Sequence, residues 1–201
     1  MVRLVLVLGD QLSDDLTALR KTDPDHDVIV MAEVADETPY VPHHPKKIAF
    51  TFVAMRKFAR RLEGAGWTVA YSPLDDPENT GSISGELIRR TAQYDAVGVV
   101  YTEPGEWRLM NALGDMPLKS HCLPDERFIA SHQEFDGWAE ERKQLRKECF
   151  YRDMCRKTGL LMDSGQPEGG KWNYDHDNRK LGADVCHIGS DGRKQTRSDL
   201  V

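Results

Sequence analysis

The chain has no CxxC pair. Its four cysteines, Cys122, Cys149, Cys155 and Cys186, stand far apart or six residues from a neighbour. Zinc ligands usually come as pairs two to four residues apart, so a metal centre is not expected, and free thiols in a reducing compartment are the simpler reading. No apolar run approaches the roughly 20 residues of a membrane-spanning helix, and the N-terminus lacks the charged-then-apolar pattern of a secretory leader. A cytoplasmic, monomeric protein with no membrane partner is the expectation. The three glycines of a dinucleotide fingerprint are missing, as are the Gly-Lys-Ser/Thr of a phosphate loop and any Ser/His/Asp or Cys/His arrangement. His43 and His44 are adjacent and point in different directions, which is not a metal spacing. A net positive charge is missing too. The net charge of −6 argues against a chain wrapped wholly in nucleic acid. There is no internal repeat. What remains is 201 residues of ordinary folded composition, 39% hydrophobic and 30% charged, enough for one domain and an arm.

What is present begins at the start. Leu4-Val5-Leu6-Val7-Leu8 is apolar without alternation, which predicts a strand buried on both faces at the centre of a parallel sheet. Gly9 ends it, and Asp10 and Gln11 fall at its carboxyl edge, where open α/β sheets bind ligands. A short helix is expected over Ser13 to Lys21, capped by Ser13 and ended by Pro24. Val28 to Ala32 reads as a second buried strand leading to Glu33, followed by a polar loop stiffened by Pro39, Pro42 and Pro45. In the helix Ile48 to Glu63, Ile48, Phe52, Met55, Ala59 and Leu62 share a face. Phe50, Ala54 and Phe58 widen that face, Arg56 stays wet, and Gly64 and Gly66 stop the helix. Further strands are expected over Trp67 to Tyr71, Ala96 to Tyr101 and Leu118 to Leu123, with a helix over Ser84 to Tyr94. The alternation predicts an α/β fold with a doubly wound, mostly parallel sheet over residues 1–127. Residues 128–180 read as an arm of loop and helix, with a charged helix from Glu140 to Thr158 ending at Gly159. Residues 181–201 have almost no apolar periodicity and read as a disordered tail.

Two constellations carry chemistry. Asp10, Glu33, Glu37, Tyr40, His43, Glu103 and Glu106 all follow strands expected to be parallel, so the fold would gather them at one edge. Carboxylates, a phenol and an imidazole suit the edges of a polar heterocycle, and Tyr or Trp its faces. Helix caps and solvated loop charges would look the same in sequence. The second is the segment from Arg142 to Thr158, with seven basic residues against two acidic ones, a local +5. Concentrated Lys and Arg are the footprint of phosphate contact, although a solvated helix with internal ion pairs reads alike.

Several segments in order carry a resemblance: Leu6 to Leu12; Tyr40 to Phe50 with its His-His and Lys-Lys; Thr102-Glu103-Pro104-Gly105-Glu106-Trp107-Arg108; Phe150-Tyr151-Arg152; Arg156 to Met162; and Gln166-Pro167 to Trp172-Asn173. From about Val2 to Lys180 the chain resembles the N-terminal region of the bacterial cryptochrome/photolyase-related proteins, in the branch of the iron–sulfur prokaryotic 6-4 photolyases. The resemblance implies an antenna domain that holds 6,7-dimethyl-8-ribityllumazine. It implies a longer helical region carrying FAD, an iron–sulfur cluster and the lesion pocket, and light-driven repair of pyrimidine photoproducts in damaged DNA. On that basis the cofactor-binding candidates are Gly9, Asp10, Glu33, Glu37, Tyr40, His43, Glu103, Glu106 and Trp107, with Glu37 and Asp10 the main polar contacts. Weak nucleic-acid contacts are expected at Arg152, Arg156, Lys157, Arg179 and Lys180. No catalytic residue and no metal ligand is expected in this chain. It ends where the family's helical region would begin, and Leu181 to Val201 departs from the family pattern. A premature stop, a frameshift or a fragmentary gene model would each produce that, and FAD and the cluster are then not expected here. A non-catalytic nucleotide- or flavin-binding module acting through a partner, or a fragment without ligand, are the alternatives.

Overall fold

The computed structural model describes residues 1–37, 43–140 and 142–175, together with the backbone of His187–Ile188 and Lys194–Gln195. The chain divides into two compact units, Met1–Phe135 and Asp136–Val201, so the division falls eight residues beyond the boundary at 127 read from the sequence.

In the first unit, β1 (Leu4–Leu6), β2 (Val28–Ala32), β3 (Thr68–Ser72), β4 (Val99–Thr102) and β5 (Ser120–Leu123) form a five-stranded sheet in the order β3-β2-β1-β4-β5. Every pairing in it is parallel. Parallel neighbours need crossovers, and helices supply them: α1 (Thr17–Arg20), α2 (Pro45–Gly64), α3 (Ile83–Tyr94) and α4 (Trp107–Gly114). The unbroken apolar run of β1 now has its reason. Leu4, Leu6 and Leu8 face one core with Leu87 of α3 and Leu113 of α4, while Val5 and Val7 face a second core with Met55, Phe58 and Leu62 of α2. Period two, buried on both sides, leaves no polar position. Leu6 pairs with Val30 and both are buried, as the sequence predicts for adjacent central strands.

The helices differ from expectation in detail. α1 is only four residues long. Ser13 accepts from the Asp15 N–H at 3.2 Å and forms a turn ahead of the helix, so Leu16 takes the cap position. α2 starts three residues early because Pro45 fits a first helical turn and His44 accepts from the Lys46 N–H at 3.1 Å. Phe50 does not widen the buried face: it is 75% exposed, because it lies five residues from Met55, on the far side of the helix. α4 was not expected at all; its buried stripe is just Leu109 and Leu113.

The second unit holds α6 (Lys147–Thr158), and α5 (His132–Glu140) spans the division between the units. The charged helix is therefore shorter than its sequence suggests, and Arg142 and Lys143 precede it. The Trp138 indole donates to Asp153 at 3.0 Å and packs edge-on against Phe150, which folds the segment before α6 back along it and requires a break. Gly159 ends α6 in the left-handed conformation, φ +74°. A hairpin follows, β6 (Met162–Asp163) with β7 (Gln166–Pro167), turning through Ser164 and Gly165 at φ +48° and +81°. Within the stretch read as a disordered tail, β8 (His187–Ile188) pairs with β9 (Lys194–Gln195). Among the described residues no helix is long and apolar enough to cross a membrane.

Candidate functional site

The carboxyl end of β1 is held by its own side chain. Gln11 is 2% exposed and its amide donates to the Thr102 and Glu103 carbonyls at 3.3 and 3.0 Å, which ties the turn after β1 to the end of β4. Strand order reverses between those two strands, the crevice where open α/β sheets place ligands. Gly9 lets α2 approach closely: a Cβ there would stand 3.0 Å from the Met55 sulfur.

A cavity of about 240 Å³ opens at this edge. Gly9 and Asp10 from the β1 turn, Ala32 at the end of β2 and Val34 just after it, and Glu106 and Leu109 of the α4 start line it. α2 supplies most of the rest through Lys47, Ile48, Thr51, Phe52 and Met55. The lining is mostly apolar with a few charged groups, the usual make-up of a small-molecule site.

The structure distributes the sequence candidates unevenly. Gly9, Asp10, His43 and Glu106 line the cavity. Glu33 does not. It is fully buried and its carboxylate is filled by Arg56 at 2.6 and 2.7 Å, the Tyr71 hydroxyl at 2.6 Å and the Leu74 N–H at 3.0 Å. Burial would raise the Glu33 pKa, but Arg56, Tyr71 and the Leu74 amide outweigh it and hold the group below the ordinary range. Tyr71 is pushed up in turn, by burial first and then by its bond to Glu33. Arg56 stays exposed, as expected, while its guanidinium pairs with this core carboxylate, and it edges a separate concavity with Arg60 and Tyr71. Glu103 lies 2.7 Å from His132 Nδ1 and is not in the lining. Trp107 is the first residue of α4, 78% exposed, and also outside the lining. Glu37 closes a 3-10 turn, Ala35–Glu37; its side chain, and the whole of Tyr40, lie outside the described residues.

The residues that sequence reasoning missed are those of α2. Lys47, Ile48, Thr51, Phe52 and Met55 fall at three- and four-residue spacings. Ile48, Phe52 and Met55 are the N-terminal end of the stripe that the sequence assigns to the core, and Lys47 and Thr51 flank it. The signal was there, but nothing in one sequence says that the first two turns of that stripe overhang the sheet edge.

In the second unit, three of the basic residues are held by carboxylates. Arg142 and Arg156 each reach Asp153 at 2.9 Å, and Arg152 pairs with Glu148. The guanidinium groups of Arg152 and Arg156 also lie 5.6 and 5.0 Å from the Trp172 ring. Arg179 and Lys180 lie outside the described residues. Cys122, Cys149 and Cys155 are free thiols, and among the described residues no group of three His, Cys, Asp or Glu side chains is placed to hold a metal.

Comparison with known proteins adds to this geometry. Residues 5–188 match the family model described as deoxyribodipyrimidine photo-lyase-related protein. The match continues past Lys180, so the departure from the family pattern expected from Leu181 begins later than the sequence reading placed it. Over 184 residues the chain is 48% identical to a (6-4) photolyase of Agrobacterium fabrum (strain C58). The aligned part is 90% of this chain and 36% of that relative, so the chain spans little more than a third of the relative's length.

Proposed function

The chain belongs to the deoxyribodipyrimidine photo-lyase-related family, and from that premise we propose that its α/β unit is the antenna domain of a light-dependent DNA-repair protein, with 6,7-dimethyl-8-ribityllumazine in the cavity at the ends of β1 and β2. The observation that carries this reading is the cavity itself. At about 240 Å³ it sits below the roughly 300 Å³ at which drug-sized sites begin. That suits a bicyclic ring better than a tricyclic flavin with a dinucleotide tail. The donor set fits as well. Ile48, Phe52, Met55 and Leu109 offer apolar surface for ring faces, and Asp10 and Glu106 accept hydrogen bonds from ring or hydroxyl donors. When bound, the lumazine supplies absorption in the near-ultraviolet to violet. The residues of this chain position it, keep bulk water from its faces and satisfy its polar edge.

The repaired substrate in this proposal is a pyrimidine photoproduct in DNA, in keeping with the family's description as deoxyribodipyrimidine photo-lyase-related. No residue of this chain is assigned to the flavin or to an iron–sulfur cluster. The test is an absorption and fluorescence spectrum of the purified chain after incubation with 6,7-dimethyl-8-ribityllumazine and removal of the excess. A retained lumazine band in stoichiometric amount is the expected result. Retention of FAD in its place would favour a flavin-binding module, and retention of neither would remove the antenna role.

A further inference from the structure

The outer side of α2 is basic. The helix carries six basic side chains against one acidic, a local +5 in a chain of −6. Two of the six are held, Arg56 by Glu33 and Arg61 by Asp14. Lys46, Lys57 and Arg60 are exposed, and among the described residues no carboxylate pairs with them. At 3.6 residues per turn these three share a stripe with Phe50 and Val53, opposite the buried Met55, Ala59 and Leu62. Phe50 is 75% exposed and Val53 51%, and the Phe50 ring has no ring or cation partner among the described residues. From Lys46 to Arg60 the stripe runs about 21 Å at 1.5 Å per residue, enough for a few nucleotides. The second unit differs, since Arg142, Arg152 and Arg156 there already meet Asp153 and Glu148.

We propose that this outer face of α2 binds single-stranded nucleic acid, with Lys46, Lys57 and Arg60 on the phosphates and the Phe50 ring against a base. Unpaired cations repeated along one face complement a polyanion, and each contact releases counterions. An exposed aromatic set between them is a stacking platform for a base. The bases of a duplex cover one another's faces. A duplex therefore offers this helix its phosphates alone and leaves Phe50 in water. A second copy of the chain is a poor occupant, because two such stripes would set Lys and Arg against Lys and Arg. None of the five residues lines the cavity at the sheet edge, so the proposal does not depend on the ligand held there.

The experiment titrates the full chain with a fluorescein-labelled oligothymidylate, and with a duplex of the same length, over a series of salt concentrations. The single strand is expected to bind more tightly than the duplex. Phe50→Ala should weaken the single strand by about fivefold or more and leave the salt dependence unchanged. Lys57→Gln and Arg60→Gln should each lower the slope of log K against log salt by about 0.7. All three side chains are exposed, so the variants should melt with the wild type. No binding of oligothymidylate at low salt would overturn the proposal. So would wild-type affinity and slope in the α2 variants, or a duplex bound as tightly as the single strand with Phe50→Ala without effect. Loss of binding in Arg152→Gln and Arg156→Gln alone would move the contact to the second unit. Binding of polyglutamate in place of the oligonucleotide, weakened by Phe50→Ala, would assign the face to an acidic protein instead.

Discussion

Glu33 and Asp10 are both acidic residues after central strands, and their surroundings give them opposite uses. Every acceptor site of Glu33 is filled from within the fold, whereas the Asp10 carboxylate makes no hydrogen bond or ion pair with the described residues and lines the cavity. A carboxylate with open acceptor sites is available to a ligand. Replacing Asp10 with Ala should remove about 1.5–3 kcal/mol of binding, roughly a ten- to hundredfold loss of lumazine retention, read from the absorbance ratio after gel filtration. Glu37→Ala should lose as much, and unchanged occupancy there would take Glu37 out of the site. Glu86 is a third case. It is fully buried under Arg89, the Ser72 hydroxyl and the Thr80 N–H. Burial raises its pKa, and those bonds outweigh burial and hold it at about 2, below the ordinary 4.5. A carboxyl whose folded pKa is depressed stabilises the fold above its unfolded pKa and loses that contribution as pH falls toward the folded value. Stability of about 2–3 kcal/mol should therefore disappear between about pH 4.5 and pH 2. Glu86→Gln should be weaker than wild type at pH 7 and show a flatter pH dependence in that window when unfolded by urea at a series of pH values.

At the scale of elements, β1 and α2 set the site between them. β1 is the central strand, paired on both sides, and its residues alternate between the two cores. Leu6→Ala leaves a hole where helices from only one face can relax into it, and should cost about 2–5 kcal/mol by chemical denaturation. A variant that melts with the wild type would contradict the central placement of β1. α2 carries two functions on one stripe. Its last turns bury Phe58, Ala59 and Leu62 against the sheet, and its first turns overhang the sheet edge and wall the cavity. The change occurs near Met55, whose side chain packs against Gly9. A Cβ at Gly9 would stand 3.0 Å from the Met55 sulfur and 3.4 Å from the Thr51 methyl, so those two side chains would have to shift to admit it.

At the scale of the molecule, the chain supplies a compact sheet unit with a candidate ligand cavity at its carboxyl edge and a basic segment in its second unit. The basic segment offers fewer phosphate contacts than its +5 suggests, since Arg142, Arg152 and Arg156 are already held by Asp153 and Glu148. Binding to DNA should be electrostatic, with a dissociation constant of about 10⁻⁴ to 10⁻⁶ M that weakens with salt, and should not distinguish damaged from intact duplex. Photoproduct repair needs an electron donor within reach of a flipped-out lesion, and the cavity here is the one proposed to hold the antenna chromophore. The expected result on illuminating the purified chain with damaged oligonucleotide, FAD and reductant is no recovered pyrimidine. Repair, or a clear preference for the damaged strand in titrations at two salt concentrations, would show that the second unit contributes a lesion site.

The sequence by itself determined the sheet. Unbroken apolar runs such as Leu4 to Leu8 and Val28 to Ala32 have one stable place, between two helical layers, and burial of period-two side chains on both faces is a local property of the run. It also determined that the carboxyl edge would collect Asp10, His43 and Glu106, because parallel strands all end on the same side. Only the tertiary structure decided which edge residues face the cavity. Glu33 was drawn into the core because Arg56 and Tyr71, 23 and 38 residues away, come within bonding distance of it. Lys47 joins the site because α2 begins three residues earlier than its periodicity shows, and Thr51 because the first turns of the helix line the cavity. The break before α6 has the same origin, in the long-range bond from Trp138 to Asp153. Periodicity reports how a segment is buried; which partner buries it depends on distances that close only when the chain folds.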